Sequence, residues 1–207
     1  MIVAVDGPAA SGKGTIARAL ARHYGLPHMD TGLLYRAAAL NLLRLGLDQE
    51  SEFHAARACD VSQIDFDDAE LRSEAVGGIA SRISAYPMVR EALLDRQRHF
   101  AALPGGAVLD GRDIGTVIAP RAEAKLYVTA SDEVRARRRL EELERNGLAA
   151  RYEDVLADIR ARDARDAARA TAPLVRAPDA ALIDTSALGI DAAVAAAIEA
   201  VERARPR

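Results

Sequence analysis

The chain has 207 residues, half of them hydrophobic, which is enough to bury one full core with small lobes attached. Its net charge of -3 excludes the broad basic surface that nucleic-acid backbones require, so any anion site must be local and no nucleic-acid partner is expected. No uninterrupted apolar run of about 18 residues occurs, and "MIVAVDGPAA" enters a strand-like run without a basic start, so the expectation is a soluble, cytoplasmic protein with no membrane partner.

The first element is the apolar run "IVAV" (2–5), which leads straight into "DGPAASGKGT" (6–15). Gly7, Gly12 and Lys13 fit the phosphate-loop spacing G-x-x-x-x-G-K, and the loop opens the helical segment 13–24, the strand-loop-helix context that mechanism needs. Glycines let the backbone turn its N–H groups inward, the helix amino terminus adds partial positive charge, and Lys13 reaches the outer phosphates. The predicted cradle for a nucleoside triphosphate is Gly7, Pro8, Ala9, Ala10, Ser11, Gly12, Lys13, Gly14 and Thr15. Gly14 occupies the slot whose hydroxyl usually touches magnesium, so no direct protein ligand to the metal is expected. Thr15, one residue late, is read as binding phosphate oxygens or water.

The helix stops at Gly25, a natural C-cap, and "PHMD" (27–30) reads as the second strand. "GLLYRAAALNLLRLG" follows as a helix with Leu34, Ala38 and Leu42 on one stripe. Residues 48–104 carry helical patterning, clearest in "PMVREALLDRQRHF", and no strand. Cys59 is the only cysteine, which excludes an intramolecular disulfide and a thiolate metal site, and reads as a small buried apolar residue. "AVLD" (107–110) and "KLYV" (125–128) are the next strands. "SDEVRARRRLEELERNG" is a helix with Ser131 as N-cap, Asp132 and Glu133 in its first turn, and its end at Asn146 and Gly147. Residues 146–172 form a highly charged helical segment, "ALID" (181–184) is the fifth strand, and "VERARPR" reads as a frayed end. Strands alternating with helices imply an α/β doubly wound parallel sheet, whose ligands bind beyond the carboxyl ends of the strands.

Several polar groups fall at that edge or near it. Asp110, Arg112 and Asp113 stand where strand 107–110 meets its loop. Arg162, Asp166 and Arg169 are spaced i, i+4 and i+7, which puts them on one helix face; taken alone, that pattern is most often a solvated ion-pair stripe. Arg36, taken alone, reads as a surface arginine on a helix.

The spelling G-x-x-x-x-G-K-G-T resembles nucleoside monophosphate kinases. With "DTGLLYR" (30–36), "SRISAYPMVREALLDRQR" (81–98), "DGRDIGTVI" (110–118) and "RDARDAARATAPL" (162–174), in that order over nearly the whole chain, it resembles the bacterial cytidylate kinases. The resemblance implies a P-loop kinase fold with a five-stranded parallel sheet flanked by helices. It implies a single domain, 1–207, with its core at about 1–30, 105–145 and 173–207, a monophosphate-binding lobe at about 31–104 and a short lid at about 146–172. It implies an enzyme that uses ATP and magnesium to phosphorylate CMP and dCMP; a monomer is the simpler expectation.

The same resemblance assigns residues. Thr31 and Arg36 hold the acceptor nucleotide, with Arg36 on its phosphate, where an arginine fork fits well. Arg112 also binds that phosphate, while Asp113, Ser81 and Arg90 read the pyrimidine. A carboxylate can accept from the cytosine amino group while arginine donates to the carbonyl and ring nitrogen, and uracil presents its donor and acceptor the other way round. Arg162 and Asp166 contact the sugar, and Arg169 also lies at the acceptor site. Arg138 contacts ATP at the start of the lid, and Arg135, Arg137 and Arg139 read as its neighbours. Lys13, Arg36, Arg112, Arg138 and Arg169 form the catalytic set, and Asp110 orients magnesium-bound water. One stretch departs from the family: where many members carry a small stranded insertion, "VSQIDFDDAELRSEAVGGIAS" (61–81) is shorter, with little strand alternation, and predicts no three-stranded subdomain.

The competing readings are another small-acceptor kinase (UMP, adenylate, shikimate or dephospho-coenzyme A) and a nucleotide-dependent switch. "GRDIG" and "RDARDAAR" favour cytidylate over the former, and the absence of an N-K-x-D stretch counts against the latter.

Overall fold

The five apolar runs pair into one sheet, as described by a computed structural model for residues 1–205. The strands are β1 (Ile2–Asp6), β2 (His28–Asp30), β3 (Ala107–Gly111), β4 (Ala124–Thr129) and β5 (Ala181–Asp184), in the order β2-β3-β1-β4-β5 and all parallel. Val3, Ala4, Val5, Val108 and Leu109 are fully buried, because a central parallel strand has helices on both faces and no polar side to offer. The chain leaves β1 toward β2 and leaves β3 toward β4, so these two adjacent strands part in opposite directions. That opens a crevice at their carboxyl ends.

Helices α1 (Lys13–Tyr24) and α8 (Ile190–Ala204) cover one face, packing Leu20, Ala197 and Val201 on Val3, Val5 and Leu126. Gly25 caps α1 in the left-handed region at φ 64°. α8 runs on through "VERA", since Val201 packs into the core, so residues 201–204 are helical rather than the frayed end expected; Pro206 and Arg207 lie outside the described residues.

The intervening helices build cores of their own. α2 (Thr31–Arg44), α3 (Glu52–Arg57), α4 (Glu74–Ile83) and α5 (Pro87–Ala101) enclose Leu34, Ala38, Leu42, Leu71, Ile83 and Leu93. No strand forms between 48 and 104, and the shortened stretch 61–81 folds as turns leading into α4. Cys59 is only partly buried against this cluster; burial pushes its thiol up to about 11. α6 (Asp132–Arg145), capped by the Ser131 side chain on the Val134 amide, pairs with α7 (Tyr152–Ala167) around Ala136, Leu143, Val155 and Ile159. Among the described residues no helix is long and apolar enough to cross a membrane.

The passage from β1 into the loop depends on Gly7. Its φ is 154°, and a Cβ there would overlap the Val128 carbonyl oxygen of β4, which is fixed backbone. Gly7→Ala is expected to destabilise the protein by about 3 kcal/mol or more in chemical denaturation. A loss below about 1 kcal/mol would show that the sheet edge yields at this point.

Candidate active site

The loop after β1 wraps the amino terminus of α1. Gly12 takes φ 89° as the helix N-cap, and Ala10 is held at φ 58°, one of two non-glycine residues in the left-handed region among those described. Such a conformation persists only where its surroundings enforce it, and it clusters at binding sites. Lys13 curls back to donate to the Pro8 carbonyl at 3.4 Å, and burial, with the Arg112 charge adding to it, holds its ammonium down to about 8. The Ser11 hydroxyl is buried without a partner. Arg138 donates to the Ser11 carbonyl at 3.3 Å and to the Thr185 hydroxyl and carbonyl at 2.9 and 2.8 Å, which pins α6 beside the loop. A cavity of about 1240 Å³ opens there, lined among others by Gly12, Thr15, Arg138, Thr185 and Ile190.

Asp110, at the end of β3, lies under the start of α1. One of its oxygens pairs with His28 Nε2 at 2.7 Å, and the other is 3.6 Å from where a Gly14 side chain would begin. That is ordinary van der Waals distance, so a side chain at this position would be accommodated by packing. Asp30, at the end of β2, caps α2 through the Leu33 amide, and Thr31 donates to the Asp110 carbonyl at 2.9 Å.

On the other side of Asp110 a continuous polar chain joins three elements. Asp113 pairs with Arg90 of α5, both buried, and Arg90 donates to the Ser84 carbonyl at 3.3 Å. The Ser84 hydroxyl accepts from Arg169 at 2.7 Å and donates to the Ser81 carbonyl at 2.9 Å. Arg169 pairs with Asp166, which also receives Arg112 Nε at 2.8 Å. Burial works against ionisation of Asp166, but Arg112 and Arg169 outweigh it and hold the carboxyl below its usual range. Burial, followed by the repulsion of Arg112, lowers the pKa of Arg162. Among the described residues, the Ser81 hydroxyl and the Nε atoms of Arg162 and Arg169 are buried without hydrogen-bond partners.

The structure thus brings Ser81, Arg90, Arg112, Asp113, Asp166 and Arg169 into one corner. Arg36 is turned elsewhere: it donates to the Leu71 and Ser73 carbonyls at 2.7 and 3.2 Å, lying across Gly77, where any side chain would meet its guanidinium. Sequence reasoning missed His28, Ser84 and Thr185, whose partners come from distant elements and leave no local signal. It also took Arg135 for a bystander of Arg138. Arg135 is 2 % exposed, bonds the Ala130 and Ala9 carbonyls at 3.0 and 3.2 Å, and pairs with Asp132 and with Asp163 of α7. One guanidinium joins the phosphate loop, α6 and α7.

A family model described as cytidylate kinase matches residues 3–203. The chain is 59% identical over 207 residues to a cytidylate kinase of Xanthobacter autotrophicus, covering 99% of each protein. It is 57% identical over 207 residues to a cytidylate kinase of Azorhizobium caulinodans, with 99% of this chain and 100% of that protein covered. Among solved structures, an uncharacterized protein from Eubacterium ventriosum shares the fold, with a TM-score of 0.54 at 15% identity over 98% of each chain.

Because Asp163 keeps some solvent access, removing its partner is less damaging than breaking a fully dry pair. Arg135→Met is expected to lower unfolding stability by about 2 kcal/mol, measured by denaturant titration. A loss under about 0.5 kcal/mol would mean that the guanidinium contributes no more than a surface ion pair.

Proposed function

The chain belongs to the cytidylate kinase family, and on that premise we propose that it transfers the terminal phosphoryl group of ATP to CMP and dCMP, giving ADP with CDP or dCDP. The observation that carries the acceptor's identity is the corner where the Asp113–Arg90 pair meets the unpartnered Ser81 hydroxyl, next to Arg112 and Arg169. That is one acceptor and several donors for a base, beside cations for the phosphate attached to it.

The attacking atom is an oxygen of the acceptor's own phosphate. It is anionic at neutral pH, so no general base is needed: a new P–O bond forms at the terminal phosphorus as the bond to the ADP oxygen breaks. The protein's part is positioning and charge neutralisation. The loop amides from Gly7 to Thr15 and Lys13 would hold the donor phosphates, with Arg138 beside them. Arg36, Arg112 and Arg169 would hold the acceptor phosphate, and Arg162 and Asp166 its sugar. In the unliganded chain the Asp166 carboxylate bridges Arg112 and Arg169, so a phosphate would join an anion already there. Arg36 must exchange two backbone carbonyls for that phosphate, which links acceptor binding to movement of the segment holding Leu71 and Ser73.

Magnesium suits the donor set as an ion carried on ATP. Thr15 and Asp110 offer hard oxygens, and among the described residues no cluster of three or more acidic, histidine or cysteine side chains would hold it alone. It would neutralise the outer phosphates, with Thr15 and Asp110 meeting its waters. The separate hydrophobic clusters support the division into core, monophosphate lobe at about 31–104 and lid at about 146–172, with closure excluding water as a rival acceptor. A monomer is the simplest form of such an enzyme, and free nucleotides as substrates fit the cytoplasm.

ADP release measured with AMP, GMP, UMP, CMP and dCMP tests the reading. CMP and dCMP should be used at least about tenfold better than AMP or GMP, since a base that leaves buried polar groups unpaired is penalised by 1 kcal/mol or more. Activity confined to AMP, or none with any monophosphate, would overturn it. Lys13→Ala should lower turnover at least about a hundredfold with unfolding unchanged, as for loss of other positioned charges. A fall of less than threefold would remove the loop from the mechanism.

A further inference from the structure

One buried charge is left without a role in that mechanism. Asp6 closes β1 and is 5 % exposed. Among the described residues it makes no ion pair. Both of its oxygens serve the backbone of a single wide turn, Ile114–Ile118: Oδ1 accepts from the Ile114 amide and Oδ2 from the Gly115 amide, each at 2.8 Å. That turn begins immediately after Arg112 and Asp113. A Cβ at Gly115 would stand 3.4 Å from Asp6 Oδ2 and 3.2 Å from the Lys125 stem, so the turn lies close against both side chains.

The charged and titratable groups around Asp6 come from two elements. The loop after β3 contributes Asp113 and Arg112, and β4 contributes Tyr127 and the Lys125 stem, whose ammonium is engaged with Asp179 at 2.8 Å. Burial pushes the Asp6 carboxyl up to about 6; the two amides and Arg112 pull it down, and Asp113 pushes it further up. For a carboxyl raised from 3.8, the stability contribution is complete below about 3.8 and is lost as the pH rises through about 6. Ionised Asp6 is therefore a liability to the fold at neutral pH. What it supplies there is two acceptors for two adjacent amides, which a neutral amide side chain, with one acceptor and one donor group, cannot match.

We propose that Asp6 is a positioning residue for base recognition: its carboxylate holds the Ile114–Gly115 backbone so that Asp113 and Arg112 leave the turn aimed at the pyrimidine nucleotide. The step rests on the acceptor reading above. Asp6 touches neither substrate, and its effect passes through the two amides to the neighbouring side chains. Donor phosphates would stay with the loop amides and Lys13, to which the Asp6 side chain makes no hydrogen bond among the described residues.

The test compares wild type with Asp6→Asn, measuring KM for CMP and for ATP separately between pH 5 and 7.5. At pH 7.5 the variant should show KM for CMP raised about tenfold, the usual consequence of one buried donor losing its acceptor, with KM for ATP changed less than twofold. As the pH falls through 6, wild-type Asp6 protonates as well, so the ratio of the two KM values for CMP should shrink toward one. A purely structural role would leave that ratio flat. Asp6→Glu, which keeps the charge but carries both oxygens away from the Ile114 and Gly115 amides, should also raise KM for CMP and spare ATP; it is the second variant if Asp6→Asn folds poorly. An unchanged KM for CMP in folded protein, equal losses for CMP and ATP, or a ratio independent of pH would each overturn the proposal. Failure of the acceptor reading itself would appear already in wild type, as no use of CMP.

Discussion

Mutual repulsion among cations is the constraint on which this molecule is organised. Lys13, Arg112, Arg162 and Arg169 gather in one partly desolvated space beyond the carboxyl ends of β1 and β3, and Arg36, turned onto the Leu71 and Ser73 carbonyls, lies close enough to feel Arg112. Burial first, and then their own like charges, lower the pKa values of Lys13, Arg36, Arg162 and Arg169. A fold that concentrates positive charge in this way must supply anions or receive them. It supplies a few: Asp166 between Arg112 and Arg169, Asp110 beneath Gly14, and Asp113 on Arg90. On the function proposed above, the phosphates of two nucleotides would complete the balance, and the charge arrangement that receives them would also stabilise charge spreading over the transferred group.

The same constraint accounts for how the outlying helices are attached. α2 to α5 and the pair α6 and α7 bury apolar cores of their own, so neither depends on the sheet for its stability alone. What joins them across the site is mostly polar: Arg169 on Ser84, Arg139 on Glu74, and Arg135 reaching from Asp163 to the Ala9 carbonyl. Polar contacts facing a solvent-filled crevice exchange partners far more readily than packed apolar surfaces do. Arg36, held by two carbonyls, is the clearest element able to trade one partner for another.

The centre of the sheet was legible because β1 and β3 are apolar runs that end in Asp or Gly, a pattern that burial on both faces imposes. The phosphate loop was legible because Gly7 and Gly12 meet backbone demands no other residue meets easily. Asp113, Arg112 and Asp166 were within reach through contiguous motifs. Asp6 and His28 were quoted inside readable stretches and passed over: Asp6 bonds amides 108 and 109 residues away, and His28 pairs with Asp110 at a separation of 82. Arg135 was passed over because three neighbouring arginines share its spelling, and only helix rotation decides which of them turns inward.

The sequence by itself determined the element order and the glycine-rich loop between β1 and α1, since both are written in local spacing, where backbone conformation and side-chain type act over a few residues; the acceptor-site residues were named only through the resemblance of contiguous motifs. Tertiary structure alone decided which charges neutralise one another: Asp166 between two arginines, His28 on Asp110, Arg135 between two helices and the loop, and Asp6 on a turn it never adjoins in the chain. The physical reason is that Coulomb and hydrogen-bond energies depend on distance and burial, and in a parallel sheet those are set by strand order and register rather than by separation along the chain.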